Sequence, residues 1–205
     1  MSITTIINDA RLSFDKNLFD ANKKGKTGCN IIASDATRYV RREEGKSVPI
    51  KQSDLQSIVE EVLKQKFNGK VPAKFENWAV RKNVDSCSQT TGERFSGYED
   101  NNGIYFAPGR YKGTATFVRK DGSIINLSVP AEEEEARKLF YAGCYCNFKV
   151  NFAAYETQED GVTKRGVTTY LEAVQFLRHG EPFSGGSANA DGFDAIEEAE
   201  VDPLS

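Results

Sequence analysis

The chain has 205 residues, of which 28% are charged and 39% are hydrophobic. This length suits one domain that can bury its own core without metal ions or disulfide bonds. The sequence contains no stretch of about 20 apolar residues and no basic and then apolar N-terminal segment, so a membrane-spanning or secreted protein is not expected. We therefore predict a soluble cytosolic protein whose 4 cysteines are reduced thiols.

Charge is distributed unevenly along the chain. Seven of the 30 acids and none of the 27 basic residues follow His179, so residues 1–179 carry a formal charge of about +4 and the remainder about −7. A Ser-Gly-Gly-Ser linker begins at Ser184, and the residues after it include too few apolar groups to fold alone. We predict a basic domain over residues 1–183, followed by a flexible linker and an acidic tail over residues 184–205.

The first half of the chain predicts two short strands and one clear helix. The strands cover residues 2–8 and 29–34, where Ile and Thr or Cys and Ile dominate. Ser53 starts a capping-box pattern, and apolar residues then repeat at helical spacing as far as Phe67. Asn68-Gly69 is a typical helix stop, because both residues tolerate the left-handed conformation.

The second half predicts two hairpins and a short helix. Asp121-Gly122 joins residues 114–120 to residues 123–128, and Asp160-Gly161 leads into a long strand over residues 166–177. Asp-Gly favours both turns because it tolerates the positive φ angles of a tight hairpin. The helix is predicted between the hairpins, over residues 131–141, with acids in its first turn where the helix dipole favours them.

The most informative stretch covers residues 143–155. Its apolar residues fall on every second position from Cys144 to Ala154, which is the period of a strand with one buried face. A face of rings, amides and a cation suits a platform on which bases stack while a lysine contacts phosphate. An ordinary half-buried strand explains the pattern equally well. The residues of this opposite face are Tyr145, Asn147, Lys149, Asn151 and Tyr155.

Aromatic and cationic residues also lie close together elsewhere in the sequence. Trp78 is interpreted as a core residue, because a single tryptophan is more often buried than exposed. The segment around Tyr39 fits a solvated turn as well as a phosphate contact. The further candidates for nucleic-acid contact are Tyr39, Arg41, Arg81, Lys82, Arg110, Tyr111 and Arg119.

Enzyme chemistry has little support in the sequence. There is one histidine, and no Ser-His-Asp or Cys-His set is suggested. Gly25-Lys26-Thr27 is similar to the end of a phosphate-binding loop, but Asp20 stands where the first glycine is required. Cys144 and Cys146 lack the usual spacing of a zinc site. We expect no catalytic residues, no metal site and no cofactor.

These parts fit a mainly β domain with one or two helices, most economically a five-stranded barrel that carries a groove. Such a groove predicts non-specific binding of single-stranded nucleic acid, through stacking on rings and salt-dependent contacts with phosphate. The acidic tail can compete with nucleic acid for the groove and, once displaced, contact other proteins. A tail that only aids solubility explains the same composition.

Several segments resemble a known family in their order and spacing. Residues 10–14 with residues 17–19, residues 141–155, and residues 166–181 resemble the single-stranded DNA-binding proteins of tailed bacteriophages. The resemblance is to the branch long labelled only as a domain of unknown function. It spans nearly the whole chain and is strongest over residues 141–181.

The resemblance implies an OB-fold, a five-stranded Greek-key barrel, that coats single-stranded DNA without sequence specificity in the cytoplasm of the infected bacterial host. The expected roles are in phage DNA replication, recombination and repair. It supports Tyr145, Lys149 and Tyr155 as groove residues. The oligomeric state is not fixed by the sequence, and a homodimer is left open.

The resemblance also implies that the acidic tail contacts phage or host replication proteins, such as a polymerase or a helicase. Related tails commonly finish on an aromatic residue, whereas this sequence finishes on Pro203-Leu204-Ser205, so recruitment through a terminal ring does not carry over. The tail residues expected to take part are Asp191, Phe193, Asp194, Glu197, Glu198, Glu200 and Asp202.

Three rival functions are left open. The first is a protein that anneals complementary strands, and the second is a small virion or assembly protein that uses the tail for protein contacts. The third is a metal-dependent nuclease, which the sequence favours least because no acidic cluster stands out in residues 1–179 apart from the run that opens the second helix.

Overall fold

The structure is a computed structural model that describes residues 2–183, so the predicted linker and acidic tail lie outside the described residues. Within this range the protein is mainly β with two α-helices. The elements follow the chain as β1 Ser2–Ser13, β2 Thr27–Gly28, β3 Asn30–Ile32, β4 Arg38–Glu43, β5 Lys46–Ile50, α1 Leu55–Lys66, β6 Glu76–Asn77, β7 Arg81–Lys82, β8 Ile104–Phe106, β9 Gly109–Arg110, β10 Thr116–Val118, β11 Ile124–Ile125, α2 Pro130–Leu139, β12 Tyr145–Glu159 and β13 Val162–Arg178.

The longest feature of the sheet is the hairpin of β12 and β13. Its turn is the predicted Asp160-Gly161 pair, whose φ angles of 50° and 77° are the positive values that a two-residue hairpin turn needs. The predicted alternation in β12 is also confirmed, because Cys146, Phe148, Val150 and Phe152 are all fully buried. This hairpin therefore supplies one apolar face for the core and one outer face for other contacts.

Strand β1 is longer than predicted and changes partner halfway along. One edge pairs with β12, while the other pairs first with β4, over residues 4–8, and then with β3, over residues 11–13. The register shifts between Ile7 and Ala10, where Asp9 takes a φ of 54°. A bulge of this kind bends a strand, which lets β1 serve two parts of a curved sheet.

On its other edge, β13 pairs in parallel with three short strands: β6, β9 and β10. The main hydrogen-bonded order is β11-β10-β13-β12-β1-β3-β8-β7. No pairing among the described strands joins the two ends of this order. The sheet therefore differs from the predicted five-stranded barrel both in its number of strands and in its lack of closure.

Helix α1 covers the apolar face of β12 and confirms the predicted core helix. Its buried residues include Ile58, Val59 and Val62. It ends as predicted, since Asn68 and Gly69 take φ angles of 51° and 81°. Within residues 2–183, neither α-helix is long and apolar enough to cross a membrane.

The start of α1 differs from the prediction. A short 3-10 turn over Gln52–Asp54 precedes the helix, and Ser53 lies inside that turn without capping it. The Asp54 carboxylate instead accepts a hydrogen bond from the Lys51 amide at 2.8 Å. The predicted Ser53 cap is therefore wrong, because the residue that precedes α1 is Asp54, and no side-chain hydrogen bond caps this helix.

The hairpin predicted over residues 114–128 and the helix predicted over residues 131–141 are confirmed with shorter bounds. Strands β10 and β11 pair around Gly122, which takes a φ of 91°. Helix α2 starts with Pro130 in its first turn, a position where proline loses no hydrogen bond. Glu132 and Glu133 follow in that first turn, as the sequence predicts.

Candidate nucleic-acid interface

The outer face of the β12–β13 hairpin forms one wall of an open cavity of about 590 Å³, which we call the groove. The opposite wall comes from the ends of β6 and β9, which pair with the far edge of β13, and from β7, which pairs with β8. Four rings line it, together with three cations and two acids. These residues are Trp78, Tyr111, Tyr155, Tyr170, Lys26, Arg81, Lys164, Glu76 and Glu159.

A single carboxylate orients two of these rings. The Tyr155 hydroxyl donates to Glu76 Oε2 at 2.8 Å, and the Trp78 indole N–H donates to the same oxygen at 2.7 Å. Gly166 stands opposite Tyr155 in the register, and a Cβ there would lie 2.6 Å from the Tyr155 hydroxyl oxygen. The glycine therefore leaves the space in which this ring reaches the carboxylate.

The protonation of this network follows from its hydrogen bonds. The bond from Trp78, followed by that from Tyr155, holds the pKa of Glu76 below its ordinary value. Burial, with a further contribution from the bond to Glu76, raises the pKa of Tyr155 to about 12. At neutral pH the acid is therefore an acceptor and the phenol a donor, so both rings are held before any ligand arrives.

Two cations lie against rings of the groove. The Arg81 guanidinium lies 4.9 Å from the centroid of the Trp78 ring, and Lys26 Nζ lies 5.7 Å from that of Tyr111. The stem of Lys26 crosses Gly109 so closely that a Cβ there would be 1.7 Å from Lys26 Cε. Burial lowers the pKa of the Lys26 ammonium.

Neither Lys26 nor Arg81 forms an ion pair within residues 2–183. The third cation differs, because Lys164 pairs with Glu159 across the hairpin at 2.5 Å. Cation–π contact holds Arg81 and Lys26 beside the rings while leaving their charge uncompensated. Rings with such cations beside them can take base faces and phosphate oxygens at the same time.

Of the five residues predicted to form the contact face of β12, only Tyr155 lines the groove. Tyr155 lies in the groove, whereas the Tyr145 ring has the Arg178 guanidinium 3.9 Å from its centroid. The amides of Asn147 and Asn151 are used within the sheet, to Gln175 and to Thr4 respectively. Of this outer face, Lys149 is exposed and forms no ion pair with any described residue.

Three further candidates make structural contacts outside the groove. Tyr39 is 4% exposed and packs near Phe106, so its ring faces are covered in this conformation. Arg41 donates two hydrogen bonds to Glu61, at 2.6 and 2.8 Å. Arg119 donates to Glu135 at 2.7 Å and to Glu132 at 3.0 Å.

The remaining candidates lie beside the groove. Arg110 follows Gly109 but lines no part of the groove, and it donates to the carbonyl of Lys112 at 2.9 Å. Lys82 is exposed next to Arg81 and likewise lies outside the lining. The structure thus brings together Tyr111, Arg81 and Tyr155 among the twelve predicted contacts.

Sequence reasoning missed several residues of the groove. Trp78 is 44% exposed, so its interpretation as a core residue is wrong. Arg81 and Lys82, which follow Trp78 closely in the sequence, are the signal that could have indicated its surface position. Lys26 drew notice only within a failed phosphate-loop motif, and Tyr170 only as part of a strand, because neither has a local pattern that points to the groove.

The cysteines offer no metal centre in the described part of the chain. Cys144 and Cys146 are buried with their Sγ atoms 3.5 Å apart, and both are free thiols. Within residues 2–183 no group of three or more His, Cys, Asp or Glu side chains is arranged to hold a metal ion. The thiols therefore act as small core residues.

The chain is similar to known phage proteins in sequence and in fold. Residues 3–204 match the family described as Enterobacter phage Enc34, ssDNA-binding protein. The chain belongs to this family. Protein p50 of Acyrthosiphon pisum secondary endosymbiont phage 1 is 38% identical over 65 residues, which is 31% of this chain. The match spans 33% of the length of that relative.

Solved structures of the single-stranded DNA-binding protein from bacteriophage Enc34 share the fold. The match to that protein has a TM-score of 0.62 at 11% identity and covers 92% of this chain and 88% of the other. Its C-terminal truncation gives a TM-score of 0.60 at 11% identity, with 88% of each chain covered. Its complex with single-stranded DNA gives 0.58 at 12% identity, covering 88% of this chain and 89% of the other.

Proposed function

We propose that this chain binds single-stranded DNA in the groove, without sequence preference, by base stacking and phosphate contact. The observation that carries the proposal is the pairing of exposed rings with uncompensated cations: Trp78 with Arg81, and Tyr111 with Lys26. Every base has a face that can stack, and stacking contributes about 1–3 kcal/mol per base whatever the sequence. Family membership supports the same ligand.

The groove favours single strands over duplexes for a physical reason. Its rings offer flat faces, and the faces of bases in a duplex are already covered by their neighbours. A single strand can splay its bases onto Trp78 and Tyr155, which the shared carboxylate of Glu76 holds in place beforehand. Preorganised rings lose less conformational freedom on binding, which favours affinity.

The wider role that we propose is non-enzymatic coating and protection of single-stranded DNA during phage DNA replication, recombination and repair, in the cytoplasm of the infected bacterium. We also propose that the sheet is an elaborated OB-fold. The bulged β1, which pairs with β4, β3 and β12, supports this proposal because a strand shared between two parts of a curved sheet is the usual corner of such a fold.

The acidic segment over residues 184–205 is proposed to compete with DNA for the groove and to contact replication proteins. Its six acidic side chains are opposite in sign to the cations of the groove that form no ion pair. Removing this segment is therefore expected to tighten DNA binding, most strongly at low salt where charge is least screened.

The test is a titration of labelled oligo-dT and of a matched duplex, followed by fluorescence anisotropy at two salt concentrations. Trp78 is the only tryptophan in the chain, so its intrinsic fluorescence reports whether the groove is occupied. We expect preference for the single strand, weaker binding at higher salt, and a change in Trp78 emission with the same midpoint. Binding without any change in that emission would move the site away from the groove, and absence of binding would refute the function.

A further inference from the structure

The exposed aromatic side chains of the described residues fall into two separate places. Trp78 and Tyr111, which are 44% and 65% exposed, line the groove. Phe14 and Phe95, which are 43% and 37% exposed, lie against each other with ring centroids 5.0 Å apart and planes at 89°. We call this second pair the phenylalanine platform.

The backbone holds Phe14 at the surface in an unusual way. Phe14 follows the last residue of β1 with φ 53° and ψ 54°, the left-handed region that a bulky side chain rarely adopts. Such a conformation is strained, and it persists only where the surrounding structure imposes it. Leu12 and Leu18, which stand on either side of Phe14 in the sequence, are both fully buried, so the chain enters the core before and after this exposed ring.

A concave path connects the phenylalanine platform to the groove. A cavity of about 180 Å³ shares Lys26 and Ala107 with the groove, and it also reaches Phe14. Phe14 in turn lines a third cavity, of about 380 Å³, together with Phe95. The three cavities therefore follow one another through shared residues.

The charges along this path suit a polyanion. Lys26 stands at the junction with the groove, and Lys16 lines the third cavity and forms no ion pair with any described residue. Asp15 lines the same cavity and keeps its negative charge, but its carboxylate is held by the main chain, since it accepts the Ala142 amide at 3.1 Å, so the phosphate contact is assigned to Lys16. Apart from Lys26, the middle cavity is lined by neutral groups such as the Asn22 side chain.

We propose that single-stranded DNA leaves the groove past Lys26 and places further bases on the phenylalanine platform, with Lys16 meeting phosphate beyond it. This inference rests on the proposed function. A protein partner is the less suitable occupant, because the platform continues directly from a groove whose rings and cations suit a nucleic acid. The proposed DNA site thus has two aromatic surfaces, the groove and the phenylalanine platform, with Lys26 between them.

The first test compares oligo-dT of two lengths, about 4 and about 16 nucleotides, which are the limits of common single-domain site sizes. Phe95→Ala is expected to weaken binding of the long strand about 5-fold or more, the loss of one stacked base, and to leave the short strand unchanged. Ile124→Ala is the matched control, because Ile124 is 66% exposed and lines none of the three cavities.

Lys16→Ala provides a second test, and because Lys16 is exposed its replacement should not disturb folding. Lys16→Ala should lower the salt slope of long-strand binding by about 0.7, the value for one phosphate contact on a single strand, and should not alter the slope for the short strand. The proposed path from the groove to the phenylalanine platform is wrong if the long strand binds wild-type protein no better than the short one. It is also wrong if both variants bind the long strand as wild type does.

The location can also be mapped directly in the full-length protein. Long oligonucleotides with a photoreactive 5-iodouracil at one end or at the other are crosslinked to it, and the attached peptides are identified. One end should mark the peptide that contains Phe14 or Phe95, and the other the peptide that contains Trp78 or Tyr111. Crosslinks confined to the groove for both ends would overturn the inference while leaving the proposed function intact, and failure of every oligonucleotide to bind would reject both.

Discussion

Two cationic regions of this protein use their charge in opposite ways. Around α2, Arg119 bonds to Glu132 and Glu135, and Arg137 bonds to Asp20 and Glu133. In the groove, Lys26 and Arg81 lie against rings and have no acidic partner among the described residues. A basic residue count cannot separate these regions, because what matters for a polyanion is the charge left uncompensated.

The same contrast applies to the rings. Those of the core, such as Phe148 and Phe152, stabilise the fold through burial, at about 1.5–3 kcal/mol for each side chain. Tyr111 contributes little to the core, since it is 65% exposed. Residues that do little for stability but face a charged groove are therefore the ones whose replacement should separate binding from folding.

The largest effect is expected from Tyr111→Ala. Loss of one stacking ring should weaken oligo-dT binding by about 1–3 kcal/mol, or roughly 5- to 150-fold, because that is the contribution of one base stacked on an aromatic side chain. Thermal stability should barely change. Val129→Ala, at a 39% exposed position beside α2, is the control for loss of an exposed apolar surface. Equal affinities for the two variants would refute stacking at Tyr111.

Replacement of Glu76 sets two effects against each other. Loss of its negative charge alone would tighten DNA binding, whereas loss of the shared acceptor would free Trp78 and Tyr155 to rotate. We expect Glu76→Ala to bind oligo-dT several-fold more weakly, because ordering two rings on binding costs conformational entropy. Glu76→Gln keeps an acceptor oxygen and should bind at least as well as wild type. Tighter binding by the alanine variant would show that charge dominates.

Lys26→Ala tests whether a groove cation that forms no ion pair contacts phosphate. The slope of log affinity against log salt should become shallower by about 0.7, the value for one lost phosphate contact on a single strand. Affinities measured at a series of salt concentrations give this slope directly. An unchanged slope would mean that the ammonium only supports the Tyr111 ring.

Arg119→Ala tests the other side of the comparison and should have little effect on DNA binding. Its guanidinium is engaged by two glutamates, and its removal leaves both acids on the helix without their partner. The expected result is a slightly lower melting temperature with an unchanged affinity and salt slope. A salt slope that falls as it does for Lys26→Ala would place DNA on the α2 side as well.

The smallest effect is spectroscopic and depends on pH. Because the pKa of Glu76 is lowered, its bonds to Trp78 and Tyr155 should persist as pH falls through the ordinary glutamate range and be lost only below it. Trp78 emission followed during acid titration of the free protein should change below that range. A transition at the ordinary glutamate value would show that the carboxylate does not hold the rings.

Local signals predicted the elements of this fold better than its site. The turn at Asp160-Gly161, the alternation in β12 and the stop after α1 each depend on neighbouring residues, and the structure confirms all three. The buried position of Tyr39 has no such signal, because it depends on β4 pairing with β1.

The groove could be predicted only in part because distant segments build it. Tyr155 followed from strand periodicity, but Trp78 comes directly after β6, which pairs with β13, and Lys26 comes directly before β2, which pairs with β9. Strands of two residues leave no periodic pattern in the sequence. Glu76 and Trp78 meet Tyr155 of β12 only because β13 pairs with β12 on one edge and with β6 on the other.

Two glycines fix the room available to side chains at the groove. Gly109 lies under the stem of Lys26, and Gly166 lies beside the Tyr155 hydroxyl, so at both places an added Cβ would meet the neighbouring side chain. The side chains around these glycines can change while the path of the chain stays the same. That separation is in keeping with a shared fold at a TM-score of 0.62 and 11% identity.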